Sequence, residues 1–136
     1  MKPATPRLGA SVLILEPDFL LRRTVVGVIR DMQLAEIHEA TQADLASRLL
    51  MSRRFDALLF ALDDEGAAIE LLLSLRRGGT LAPADTPVAV TAAACDASLA
   101  LRLKELKVRR VLLKPFKVKS VIETVSGLCT ETVASA

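Results

Sequence analysis

Ser11-Val-Leu-Ile-Leu-Glu-Pro-Asp-Phe-Leu-Leu-Arg-Arg23 carries three signals in one short stretch. Its first five residues are almost wholly apolar. An extended segment of that kind is dry on both faces, as in a parallel sheet covered by helices above and below. Glu16-Pro17 then interrupts the run, and Asp18 offers a carboxylate to the free N–H groups of a helix start. From Phe19 to about Met32, Leu20, Leu21, Val25, Val28 and Ile29 recur at helical spacing and are expected to face inward. An apolar strand feeding a capped amphipathic helix is the first half of a β–α–β unit.

The same alternation continues outward. Ala35 to Ala40 reads as a strand in which Ile37 alternates with Glu36 and His38, and Thr41 is expected to cap a helix to about Arg53, with Leu45, Leu49 and Leu50 inside. Asp56 to Ala61 is a second apolar strand, followed by a helix from about Glu65 to Arg77 carrying Ile69, Leu72 and Leu73. Gly78-Gly79 ends it, since glycine takes the left-handed backbone at a helix C-terminus. Leu81 to Thr86 is a loop, Pro87 to Thr91 a strand, and Asp96 to Lys107 a helix with Leu99, Leu103 and Leu106 at helical spacing. Arg109 to Leu113 is the last strand and Val118 to Leu128 the last helix. Five alternations predict an α/β domain with a doubly wound parallel sheet, over residues 11–128. Residues 1–10 and 129–136 are expected to be flexible tails.

Composition narrows the function. The chain has 136 residues, 51% of them hydrophobic, which suits one domain with a sizeable core. The net charge of +2 does not by itself point to nucleic acid or membrane. Four Phe are the only aromatics, too few for a base-stacking platform. Cys95 and Cys129 fit neither a disulfide framework nor a zinc motif, and one histidine, His38, is no ligand set. No apolar run reaches the length of a membrane span and no signal-peptide core is present, so a cytoplasmic protein with reduced thiols is expected.

In a doubly wound sheet the functional crevice lies at the C-terminal strand ends. Those ends carry Glu16-Pro17-Asp18, Ala61-Leu62-Asp63-Asp64, Thr91-Ala92-Ala93 and Lys114-Pro115-Phe116. Three segments, Val12 to Arg23, Ile37-His-Glu-Ala40 and Val111-Leu-Leu-Lys-Pro-Phe116, make the chain resemble the CheY-like receiver domain of two-component response regulators, from about Ala10 to Leu128. The resemblance implies a flavodoxin-like three-layer αβα fold with strand order 2-1-3-4-5. It also implies a site in which an aspartate ending the third strand accepts a phosphoryl group. An acidic pair after the first strand helps hold Mg²⁺ there, and a hydroxyl and a lysine after the fourth and fifth strands contact the phosphoryl group.

This sequence departs from that pattern at most positions. The acidic pair falls on Glu16 and Pro17, and the acceptor on Ala61, which has no oxygen to phosphorylate. Counting back from Lys114 puts Ala92 at the hydroxyl position, while a one-residue gap puts Thr91 there. The family's switching aromatic falls on Val111, and only Lys114 survives, expected as a solvated lysine or an ion pair with Glu16. Asp63 and Asp64 read as solvated turn or helix-start charges. No cofactor and no metal is expected; Glu16, Asp18 and Asp63 are the weak candidates for a cation.

One feature of the charge pattern stands out. From Ala97 to Ser120 eight Lys or Arg residues face the single Glu105, a local charge of +7 against −5 over the rest of the chain. The resemblance makes this stretch the surface for output partners and dimerisation, with Arg102, Lys107, Arg110, Val111, Lys117 and Lys119 as its candidate contacts. The expected function is that of a stand-alone degenerate receiver, not an enzyme, which binds a protein partner with an acidic surface independently of phosphorylation in bacterial signalling. The same face is a candidate for a homodimer. The alternatives are a phosphoreceiver in a phosphorelay with a displaced acceptor at Asp63 or Asp64, and a basic nucleic-acid-binding protein on the same fold.

Overall fold

The five apolar stretches form five strands in the computed structural model, which describes residues 9–135 and the side chains of residues 9–130. They are β1 (Ser11–Leu15), β2 (Glu36–Ala40), β3 (Ala57–Ala61), β4 (Val88–Ala92) and β5 (Arg110–Leu113), each followed by a helix. The helices are α1 (Phe19–Asp31), α2 (Ala43–Ser52), α3 (Glu65–Arg76), α4 (Ala97–Glu105) and α5 (Val118–Ser135). All strand pairs are parallel and the order is β2-β1-β3-β4-β5. This is the doubly wound, flavodoxin-like αβα architecture.

Side chains alternate across the sheet, so β1, β3 and β4 are buried along their whole length. Leu13, Leu15, Leu58, Phe60 and Val90 join the core under α2, α3 and α4. Val12, Ile14, Leu59, Ala89 and Leu112 join the second core, under α1 and α5. Two cores on two faces explain why these strands read as continuous apolar runs.

Asp18 caps α1, its Oδ1 accepting from the Leu21 N–H at 2.9 Å, and Asp96 caps α4 by accepting from Leu99 N–H at 2.8 Å. Gly78 takes φ +78° just past α3. Five expectations need correction. Leu20 is 70% exposed, because the inward arc of α1 runs through Leu21, Val25, Val26 and Ile29, centred nearly half a turn away. Leu45 is 37% exposed, leaving Ala46 and Leu50 to bury α2. The N-cap of α2 is Gln42 rather than Thr41, and it makes no side-chain capping bond. The last helix does not stop near Leu128: Cys129 is fully buried in the α1/α5 core and the helix runs on to Ser135. At the other end Ala10 belongs to the domain, buried and accepting from Glu36 N–H at 2.8 Å. The rest of the expected N-terminal tail, residues 1–8, lies outside the described residues.

Candidate functional site

β1 is flanked by β2 on one side and β3 on the other, so the chain leaves it in one direction and returns in the other. A crevice opens at that switch point. It measures about 360 Å³, and Leu15, Pro17, Asp44, Ala61, Asp63 and Asp64 are among the residues that line it.

Glu16 is the buried charge of the site, 4% exposed. Its Oε2 accepts from the Asp18 N–H at 3.0 Å, and its Oε1 meets the ammonium of Lys114 at 3.0 Å. The same ammonium lies 3.2 Å from Asp63 Oδ1. Burial works to lower the Lys114 pKa, but the hydrogen bond and charge of Glu16, then those of Asp63, outweigh it and raise the value above the ordinary lysine range. Lys114 is itself anchored, its N–H donating to Ala92 O at 2.8 Å, and a cis peptide bond joins it to Pro115. Asp64 does the work of a helix cap, accepting from Ala67 N–H at 3.3 Å.

The residues placed here do not suit Mg²⁺. An octahedral oxygen shell needs carboxylates that are free to coordinate. Pro17 and Ala61 offer none, and a lysine already bridges Glu16 and Asp63. Asp18 is turned to its helix. Among the described residues no cluster of three or more metal-ligating side chains forms.

Strand register decides which residue flanks Ala61 on β4. Ala61 pairs with Thr91, and the Leu62 N–H donates to Thr91 O at 2.9 Å. The Thr91 hydroxyl is buried without a partner among the described residues, on the wall of a void of about 10 Å³ shared with Glu16, Arg22, Ala61 and Phe116. That space holds about one water and no phosphoryl group. Ala92 turns the other way, into the core under α3 and α4, and Val111 packs against that same core.

Arg22 gave no sequence signal beyond a helical position. Its Nη1 donates to Glu16 O at 2.8 Å and its Nε to Glu39 Oε1 at 3.1 Å, fixing the loop after β1 against β2. Arg76 was missed for the same reason. Before the N-terminal ends of β4 and β5 it donates to the carbonyls of Leu106 at 2.7 Å, Thr86 at 2.7 Å, Ala84 at 2.8 Å and Lys107 at 3.3 Å.

On the α4–β5–α5 side, Arg102, Lys107, Arg110, Lys117 and Lys119 are all exposed. Leu101 and Leu113 add exposed apolar surface at 59% and 52%.

No protein-family model and no curated protein matches the chain. Solved structures do. The receiver domain of the Francisella response regulator 1452 superposes with a TM-score of 0.78 at 19% identity, covering 91% of this chain and 99% of that one. A CheY-like response regulator receiver domain protein from Methanospirillum hungatei JF-1 gives 0.78 at 14% identity, over 94% of this chain and 99% of that one. Chemotaxis protein CheY4 of Vibrio cholerae gives 0.76 at 18% identity, over 88% and 98%. The fold is that of a CheY-like receiver domain. Within that receiver fold, the crevice of this chain presents Ala61 at the end of β3, and Asp63 on its lining shares the Lys114 ammonium with Glu16. No helix among the described residues is long and apolar enough to cross a membrane.

Proposed function

We propose that the chain is a degenerate response-regulator receiver that works as a phosphorylation-independent protein-interaction module in bacterial signal transduction. The observation that carries this reading is Ala61 at the end of β3, with Lys114 already paired to Glu16 and Asp63. A phosphoryl group arriving in the crevice meets no acceptor carboxylate at the end of β3. It also meets Asp44, Asp63 and Asp64, whose charges oppose an anion. Asp63 held by Lys114 and Asp64 held as a helix cap are poorly placed to replace the missing acceptor.

The partner surface in this reading is the α4–β5–α5 face. Its cations attract an acidic protein and steer its approach, and Leu101 and Leu113 supply apolar contact between them. Nucleic acid is the weaker reading of the same charge, because among the described residues no exposed aromatic accompanies these cations.

The test is capture of partners from the native organism with wild type, with the Arg102→Glu/Lys107→Glu double variant, and with Asp31→Lys as control. The expected result is a partner retained by wild type and control, lost with the double reversal, and indifferent to acetyl phosphate. A partner that binds only after phosphodonor treatment would sink the proposal.

A further inference from the structure

The surface charge is two-sided. Arg102, Lys104, Lys107, Arg110, Lys117 and Lys119 are exposed and, among the described residues, make no ion pair. The opposite sign gathers next door. From Asp63 to Leu75 the chain carries Asp63, Asp64, Glu65 and Glu70 with no Lys or Arg, and Asp44 of α2 stands across the crevice from them. Apart from Asp63, these acids also make no ion pair among the described residues. The two faces meet along a groove of about 400 Å³ between α3 and α4, with Glu65, Glu70, Ile69 and Leu73 on one side and Arg102 on the other. The groove keeps the charges apart, so the molecule does not neutralise itself across it.

Two copies joined basic face to basic face would bring like charges together, which opposes association. Two copies joined basic face to acidic face satisfy both. We propose that the α4–β5–α5 face of one copy docks on the acidic α2/α3 end of a second copy, head to tail. This rests on the reading of the basic face as a protein-docking surface, and it names a second copy of this chain as an occupant of that face. The contact is heterologous, so a pair leaves the acidic face free on one copy and the basic face free on the other, and association can continue. It is carried mainly by exposed charge, with Leu101, Leu113 and Leu45 as exposed apolar contributors, and so it is weak and salt-sensitive.

The test is sedimentation of wild type at low salt, beside a basic-face variant, Lys104→Glu/Lys107→Glu, and an acidic-face variant, Glu65→Lys/Glu70→Lys. Wild type should self-associate in a concentration-dependent way, weakening about tenfold or more as salt rises. Each variant alone should be monomeric, and an equimolar mixture of the two should associate again, because the intact basic face of one meets the intact acidic face of the other. Circular dichroism checks that both variants are folded. Self-association that survives in the acidic-face variant overturns the head-to-tail contact, as does a wild type that stays monomeric at low salt. Polyglutamate binding separates this from the broader reading. If monomeric wild type binds polyglutamate and Lys104→Glu/Lys107→Glu does not, the head-to-tail contact falls while the acidic-partner reading stands. If wild type neither self-associates nor binds polyglutamate, both fall.

Discussion

The ammonium of Lys114 stands 3.0 Å from the Glu16 carboxylate, joining the loop after β5 to the loop after β1 across the two strands between them. Asp63, from the loop after β3, shares the same ammonium at 3.2 Å. Three loops at the crevice are therefore held by one cation. The Glu16 side chain is only 6% exposed, so removing the cation strands a buried carboxylate.

Lys114→Met is expected to cost about 1–3 kcal/mol, below the full cost of breaking a buried pair because the lysine is partly solvated. Lys114→Met/Glu16→Gln should recover part of that loss, and a double-mutant cycle by urea unfolding measures the coupling. The sign with pH follows from the raised lysine pKa. The stabilisation is complete below the ordinary value of 10.5 and fades as pH climbs through the higher folded-state value. The Lys114→Met protein should lack that alkaline decline.

Acetyl phosphate with Mg²⁺ should leave the intact mass unchanged, since Ala61 has no oxygen to accept the group. Mass spectrometry that finds a phosphoryl group on Asp63 or Asp64 would overturn the degenerate reading.

Millimolar Mg²⁺ should not move the melting temperature. Ligand binding to the folded state raises it in a saturable way, and a clear saturable rise would show that the Glu16–Lys114–Asp63 arrangement opens to admit the ion.

Arg76→Ala should lower stability by about 2–4 kcal/mol, because four backbone carbonyls from two separate segments lose one charged donor. Arg76→Lys should recover little, since a single ammonium cannot reproduce the planar fork. Thermal melts of the two variants check this.

A thiol reagent should label one cysteine in the native protein and two after unfolding. Burial, with a smaller contribution from the charge of Asp56, pushes the Cys129 thiol up to about 11, and its side chain is inaccessible. Cys95 is partly exposed and should react first. Peptide mapping of the labelled site decides it.

The sheet was legible because burial on both faces writes itself into β1, β3 and β4 as unbroken apolar runs. The caps Asp18 and Asp96 and the stop at Gly78 were legible because each acts within a few residues of itself. Leu20 and Leu45 misled because one extra apolar residue beside a true stripe does not change the period. The length of α5 was hidden because nothing local marks the buried partner of Cys129. At the site, the pairing of Glu16 with Lys114 was among the expectations, but the shared hold on Asp63 was not. Whether Thr91 or Ala92 lies beside Ala61 turned on strand register, which counting back from Lys114 cannot supply. Arg22 and Arg76 escaped entirely, since a guanidinium that seeks backbone carbonyls leaves no pattern in the sequence.

The Arg76 clamp also bears on how long the folded molecule lasts. Its contacts with Leu106 and Lys107 span 30 and 31 residues and require the turn after α4 to be closed already. Contacts absent from the folding transition state govern unfolding more than folding, and the clamp is expected to be one of them. Loss of the clamp should therefore leave the refolding limb of a chevron plot nearly in place and steepen the protein's decay, shortening its kinetic lifetime and its resistance to proteolysis.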